Sequence, residues 1–549
     1  MKRGFWILSV ILWAGLATAG GLDPCLVVRL SSLNPGEELP VVVHLRAQAN
    51  LALFHPDNKA GMVAELHRVA DETQPSFLAR FKGKLKDVGR FWIYNGFACT
   101  ARKDAIPELA SQPEVDFVCE NQTLSLEPAI HGVEVLADST TWNIRRVRAD
   151  SVWKIRGYTG QGVIVGLIDT GMDITHPTFG NRWRQQDGWY DAVAGSPTPN
   201  DSNGHGIFCM GIALGGTTGD SIGVAPGATF IAAKGISAGG GFQYAWLDSC
   251  LQWYARLDSL GRGASVVTSP VRVSRTESHF WQACRSLQFL GTTLAFTVGS
   301  LGPSGSTVES PGNYPCLLGV GATDANDFVA SFSSRGPAPS GYPWDSSAAW
   351  LDPLWGTRTP TNHIKPDLVA PGVNVRSSHL SHGYATMSGT SWASPHVAGA
   401  IALMKQKNPN LTISQMWNIL TTTCDTPATG RPYPNQNYGW GRLNCLRAVD
   451  ATPSGVEAET SPSRREVLHL SVSPNPMRER CEFSMGSAQG TPNTIRLYDS
   501  TGRLIRCLSG KGSLPWDGRD EGGRPAASGV YFAVMEGQAG SSARVVLTR

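Results

Sequence analysis

GVIVGLIDTG, from Gly162 to Gly171, is the stretch that decides the fold. Its apolar run, Val163 to Ile168, is short and free of polar residues, the pattern of a strand buried on both faces. The run leads straight into Asp169-Thr170-Gly171. A carboxylate therefore stands at the C-terminal edge of a sheet, where α/β proteins place their sites. Similar runs recur at Thr229 to Ala233 and Leu294 to Val298, separated by helical stretches from about 143 to 450. Short buried strands alternating with helices predict an α/β domain, a parallel sheet with helices on both faces, over 143–451.

On the N-terminal side, residues 25–128 read as a small α+β unit. LPVVVHL (Leu39 to Leu45) predicts a strand, Gly61 to Phe81 a helix, and Phe91-Trp92-Ile93-Tyr94 a second strand. Ala105 to Ala110 predicts a short helix and Val115 to Val118 a last strand, with an exposed connector over 129–142. Ahead of this unit, Lys2 and Arg3, the apolar run Phe5 to Leu16 and the small residues Ala17-Thr18-Ala19 have the order of a cleaved secretory signal, placed at 1–19. The run is too short to span a bilayer, so the expected destination is outside the cell or on its surface. On the C-terminal side, residues 452–465 (TPSGVEAETSPSRR) form a polar linker. Strand signals at Val467 to Val472, Thr494 to Tyr498 and Val530 to Met535, with turns such as Asp499-Ser500-Thr501-Gly502, predict a β-sandwich over 466–549.

Three such units suit a 549-residue chain, too long for one core. The net charge of +3 comes with no dense Lys/Arg block, which argues against a nucleic-acid partner. Eleven cysteines in an exported chain allow disulfides, and Cys424–Cys445 and Cys481–Cys507 are the expected pairs. Cys209 and Cys316 sit in apolar surroundings and are read as core fillers. No cysteine or histidine cluster has zinc spacing, so no metal site is expected.

Two further segments carry chemistry. Asn203-Gly204-His205-Gly206 opens an apolar helix with a histidine between glycines, which keeps its ring unobstructed. In Ser388-Gly389-Thr390-Ser391-Trp392-Ala393-Ser394-Pro395-His396, small residues lead to Ser391, and Pro395 suits the first turn of a helix. A serine hydroxyl needs a base to take its proton, and the base needs a carboxylate to fix its tautomer. Asp169, His205 and Ser391 supply the three groups, in the chain order Asp, His, Ser. His396 is expected to face the core, and Asp173 to be a loop carboxylate.

These three segments resemble the signature blocks of the subtilases. Gly223-Val224-Ala225-Pro226, Phe332 to Pro337 (FSSRGP) and Lys365 to Gly372 (KPDLVAPG) resemble further motifs of that family, over about 300 residues in all. The helix at Trp281, and SPGNYP before VGATD, resemble its bacillopeptidase F branch. The resemblance implies a serine endopeptidase with Asp169, His205 and Ser391 catalytic, polypeptide substrates and no required cofactor, with structural calcium allowed. It also implies that residues 25–128 are an inhibitor-like propeptide, a partner of the domain it precedes, cleaved between Thr123 and Thr141. The tail, with Ser473-Pro474-Asn475-Pro476 and Trp516-Asp517-Gly518, resembles Ig-like sorting modules of exported bacterial proteins, which would make outer-membrane secretion machinery a partner.

Two positions depart from the family pattern. Gly299-Ser300 stands where subtilases carry Gly-Asn, so Ser300 replaces the side chain that holds the oxyanion; losing such a donor costs about 2.7–4 kcal/mol. At Thr268-Ser269-Pro270, where the family strand pairs with substrate, Pro270 removes a backbone donor. Thr268, Gly299 and Ser300 are thus the candidate substrate and oxyanion residues. The rival to a protease is a catalytically impaired pseudoprotease, a binding or scaffold protein on the same frame.

Overall fold

A computed structural model describes residues 21–126, 130–131, 140–216, 221–341, 343–345, 363–455, 470–485, 493–499, 504–510, 512–535 and 542–548. The predicted signal at 1–19 lies outside these residues, as does the linker beyond residue 455. The chain divides into two compact units at Gly455/Val456.

The first unit begins with an α+β layer. Its sheet has the order β1-β5-β2-β4-β3, from β1 (Gly21–Leu22), β2 (Glu38–Leu45), β3 (Leu85–Phe91), β4 (Gly96–Arg102) and β5 (Val115–Glu120). Helices α1 (Pro24–Ser32), α2 (Lys59–Arg80) and α3 (Ala105–Ala110) accompany it. Val41, Val43, Phe77, Phe97, Ile106 and Leu109 share a core of their own. Of the strand expected at Phe91 to Tyr94, only Phe91 lies in one, as the last residue of β3; Trp92 to Tyr94 are in the turn joining β3 to β4. Ile93 and Tyr94 are buried there against the main domain: the Trp92 N–H donates to Gln252 Oε1 at 2.6 Å and the Tyr94 hydroxyl to Asp248 Oδ2 at 2.8 Å. Burial by a neighbouring element gave these residues their apolar character, and strand pairing did not.

Two short strands lead out of that layer, β6 (Thr123–Ser125) and β7 (Ile130–His131). The main domain follows, on a seven-stranded, all-parallel sheet. In chain order its strands are β8 (Ile164–Asp169), β9 (Trp189–Asp191), β10 (Thr229–Lys234), β12 (Val266–Ser269), β13 (Thr293–Thr297), β14 (Leu318–Thr323) and β15 (Leu368–Pro371). The lateral order is β15-β14-β13-β12-β8-β10-β9. β11 (Gly241–Gln243), β16 (Val375–Ser378) and β17 (Tyr384–Ser388) lie apart from this sheet. Helices α4 (His205–Leu214), α5 (Tyr244–Ser259), α6 (Trp281–Phe289) and α7 (Ser394–Lys407) flank it. Gly206 to Leu214 and Ser394 to Met404 are buried throughout, so α4 and α7 are core helices rather than amphipathic surface ones. The parallel α/β sheet predicted from GVIVGLIDTG is present.

The second unit consists of two antiparallel sheets. One has the order β18-β19-β22, from β18 (Leu470–Ser473), β19 (Cys481–Met485) and β22 (Leu514–Trp516). The other is β21-β20-β23-β24, from β20 (Asn493–Asp499), β21 (Leu504–Gly510), β23 (Gly529–Met535) and β24 (Ser542–Leu547). Trp516 is fully buried with Phe483, Leu497 and Tyr531, a core role.

Cys424, Cys445, Cys481 and Cys507 are free thiols, which corrects both expected disulfides. Cys424 is buried and its thiol donates to the Leu420 carbonyl at 3.1 Å. Cys481 and Cys507 lie on strands of different sheets. Cys209 and Cys316 are core residues, each 1% exposed.

Candidate active site

Asp169 is the last residue of β8 and is fully buried. Its Oδ1 accepts the Thr170 N–H at 2.7 Å, and both oxygens face His205 Nδ1, at 2.9 and 3.0 Å. That contact assigns the proton to Nδ1 and turns Nε2 away from the carboxylate. His205 is the first residue of α4, and Gly204 before it has φ +93°, a left-handed conformation that glycine adopts without strain. The ring packs on the Trp392 indole, with centroids 4.6 Å apart.

Asp201 holds this loop together. Its Oδ1 accepts from the Thr170 hydroxyl and from the Asn203 and Gly204 N–H groups at 2.9–3.0 Å, and its Oδ2 from the Ile207 N–H at 3.1 Å. The Thr170 hydroxyl in turn accepts the Gly206 N–H. One carboxylate thus ties the end of β8 to the start of α4. Sequence reading passed it over; the signal was an Asp two residues before Asn203-Gly204-His205, in a helix-capping context.

Ser391 lies in a 3₁₀ turn, Thr390–Trp392, just before α7. It lines a cleft of about 50 Å³ together with His205, Ser300 and Arg272. Asp169 and His205 are in contact, and Ser391 shares the cleft with the histidine. His396, one turn further, is fully buried between the Trp392 carbonyl (2.8 Å) and the Asn143 carboxamide (2.9 Å). Burial lowers its pKa to about 4, so it stays neutral in the core.

The remaining candidates divide. Ser300 lines the cleft, with its Oγ 2.6 Å from Thr390 Oγ1, whose own hydroxyl donates to the Gly299 carbonyl at 2.9 Å. Gly299 has φ +96°, and a Cβ there would fall 1.9 Å from Glu309 Oε2, so the position admits only glycine. Thr268 is buried in β12 and donates to Ser394 Oγ at 3.1 Å, away from the residues lining the cleft. β12 ends at Ser269, so Pro270 follows the strand and takes no ladder position within it.

Asp169, His205 and Cys209 form the one group of three metal-ligating side chains among the described residues. Burial holds the Cys209 thiol well above its ordinary pKa, and the imidazole and carboxylate face each other. A thiol and an imidazole do not suit a hard cation, so the group offers calcium no site.

The described ends of the segment leaving the N-terminal layer, Leu126 and Ile130, reach this cleft. β6 pairs antiparallel with β11, the Leu126 N–H donates to the Gly240 carbonyl at 2.9 Å, and β7 pairs with the end of β17 next to Ser388. Leu126 and Ile130 both line the cleft that holds Ser391.

The Subtilase family profile matches residues 160–441, about half the chain, and spans Asp169, His205 and Ser391. The chain belongs to the subtilase family. Bacillopeptidase F of Bacillus subtilis (strain 168) is 30% identical over 444 residues, covering 72% of this chain and 29% of its own length. Subtilisin BL of Lederbergia lenta is 35% identical over 315 residues, covering 57% of this chain and 100% of its own. The alkaline protease of Alkalihalobacillus alcalophilus is 34% identical over 334 residues, covering 59% and 76%. The chain thus matches the latter two proteins over most or all of their length, and less than a third of bacillopeptidase F. Subtilases are serine peptidases that need no organic cofactor. Among the described residues no helix is long and apolar enough to cross a membrane.

Proposed function

We propose that this subtilase is a secreted serine endopeptidase, made as a precursor that cleaves itself. Ser391 Oγ attacks the scissile carbonyl while His205 Nε2 takes its proton and passes it to the leaving amine; the C–N bond breaks and an acyl-enzyme remains. Water then attacks the ester, His205 again acting as base, and frees the acid and Ser391. Asp169 orients the ring and stabilises the imidazolium, and the Ser391 N–H binds the oxyanion at the start of the turn leading into α7. The observation that carries this reading is the pairing of a fully buried Asp169 with His205 at 2.9 Å, in the cleft that Ser391 lines.

Residues 25–128 act as the propeptide. Their outgoing strands β6 and β7 pair with β11 and with the end of β17, as a peptide substrate would pair, and cleavage between Thr123 and Thr141 releases the layer. The N-terminal 19 residues direct export, and the second unit serves sorting or anchoring through outer-membrane secretion machinery. Substrates are polypeptides.

Purified protein is treated with a fluorophosphonate probe, and processing of wild type and Ser391→Ala is compared by mass. The expected result is labelling of Ser391 and loss of the N-terminal layer in wild type only. Identical processing with no labelling of either protein would establish the scaffold reading instead.

A further inference from the structure

Trp392, the residue after Ser391, carries an indole that makes no use of its N–H. The side chain is 1% exposed, and Nε1 meets no hydrogen-bond partner among the described residues. A buried donor left unpaired is a cost that phenylalanine would avoid. What the indole supplies instead is its face. Phe208 packs against it with centroids 4.3 Å apart, and the His205 imidazole with centroids 4.6 Å apart and planes at 35°, a separation too short for rings lying side by side. Trp392 and His205 both line the cleft that holds Ser391. The other contacts of the imidazole are at its edge. Asp169 faces Nδ1 at 2.9 and 3.0 Å, and Cys209 Sγ lies 3.7 Å from the same nitrogen, its thiol kept neutral by burial. The face of an aromatic ring is electron-rich. A cation within about 6 Å of its centroid is attracted to it, most strongly by tryptophan and more strongly still where water is excluded. The His205 side chain is 9% exposed, so the contact is nearly dry.

We propose that Trp392 is a positioning residue of the peptidase reaction: its indole face attracts the imidazolium that His205 becomes on taking the Ser391 proton, and so lowers the barrier to acyl transfer. The inference rests on the peptidase reading above and deepens it. A neutral imidazole gains little from the electron-rich face and an imidazolium gains more, so the contact strengthens as the proton moves. The imidazolium forms twice in each turnover, when Ser391 attacks the substrate and again when water attacks the acyl-enzyme. The effect therefore belongs to kcat and leaves KM nearly untouched.

The test separates the charge on the ring face from the shape of the side chain. Tryptophan carrying one, two or four ring fluorines is incorporated at position 392 alone, in the full chain. Fluorine drains electron density from the face with little change in shape, and since Nε1 has no hydrogen-bond partner among the described residues, a more acidic N–H adds no second effect. Steady-state cleavage of one fluorogenic peptide is measured per active site, counted by fluorophosphonate labelling of Ser391. The expected result is a stepwise fall in kcat, exceeding about threefold with four fluorines, at nearly constant KM. Trp392→Leu, which has no aromatic face, should lose about tenfold or more in kcat, and Trp392→Phe should lie between it and wild type. If the wild type labels and cleaves but the tetrafluorinated protein stays within about threefold of it, the assignment of Trp392 is overturned and the peptidase reading stands, whatever Trp392→Leu loses. If the wild type neither labels nor cleaves, the peptidase reading itself is overturned and this inference falls with it. Should Trp392→Leu fail to fold, the fluorinated series still decides.

Discussion

Replacing Ser300 tests how this site holds the oxyanion. Each hydroxyl has one proton. The Thr390 hydroxyl donates to the Gly299 carbonyl, so the 2.6 Å contact between Thr390 and Ser300 requires Ser300 to be the donor. The Ser300 proton is therefore directed at Thr390 and not at a substrate oxygen. Two opposite expectations follow for two substitutions. Ser300→Ala removes a hydroxyl that does not serve the transition state, and kcat should fall by no more than about threefold, within the usual scale of one neutral hydrogen bond. Ser300→Asn places a carboxamide donor on the cleft wall. A donor of that kind is worth about 2.7–4 kcal/mol at the transition state, or about 10²–10³ in kcat. Part of that gain will be lost to imperfect placement, so a rise of about tenfold or more is expected. Because the interaction forms only as the carbonyl becomes an oxyanion, KM should change little. The assay is steady-state cleavage of one peptide by the three proteins, with active sites titrated by fluorophosphonate. A loss of about 100-fold in Ser300→Ala would show that the serine itself holds the oxyanion and would refute the hydrogen-bond direction argued here.

Three other outcomes are expected. His44 in β2 is fully buried between Tyr94 and Phe117, with Nε2 2.8 Å from Nδ1 of His279; Asp248, Cys119, Glu277 and Tyr244 are the other titratable groups around this cluster. Burial, and secondarily His279, holds the His44 pKa well below its ordinary 6.5. The docked layer therefore binds fewer protons than the released one, and docking should be full above about pH 6.5 and weaken as pH falls, by up to about 1.4 kcal/mol per unit; retention of the cleaved layer on size exclusion should show this, and His44→Leu should flatten it. Asp201→Ala should lower stability by roughly 1–3 kcal/mol and reduce kcat, because the donors gathered at the start of α4 lose their acceptor; thermal unfolding and peptide cleavage measure the two. Alkylation of the denatured precursor without reductant should modify Cys424, Cys445, Cys481 and Cys507, read by peptide mass, and protection of either pair would contradict their free thiols.

What could be read in advance was local in origin. The β8 strand, the helix at Lys59–Arg80 and the glycine-bracketed His205 all declare themselves through periodicity or turn chemistry within a few residues. The apolar run Phe91 to Tyr94 misled because its partner, α5, lies some 160 positions away, and a buried turn carries the same composition as a strand. The expected disulfides failed for a related reason: spacing along the chain does not say whether two thiols will face each other, and Cys424, Cys445, Cys481 and Cys507 are free. Asp201 gathers Thr170 from one segment and Ile207 from another; its place ahead of a helix start hints at a cap, but nothing local announces the bond to Thr170. Arg272 and Glu309 stand 37 positions apart and become a pair only when the sheet brings them to one wall.

That pairing also changes what the two departures from the family pattern mean. Ser300 in place of Asn and the altered stretch after Thr268 look like two separate losses in the sequence. In the structure one carboxylate joins them: Glu309 accepts the Ser300 N–H and holds Arg272, which follows Pro270 by two residues. Pro270 itself lies beyond the last ladder residue of β12. The wall beside Ser391 is therefore rebuilt as one charged unit. Stability does not account for it, since taking an ion pair out of water costs several kcal/mol per ion and apolar packing of the same volume would serve the fold as well or better. The same holds for Asp169, buried completely against His205. A buried carboxylate that orients an imidazole is a contact the proposed peptidase would need, and it is the Asp169–His205 pair, rather than the Arg272–Glu309 pair, that supports that reading.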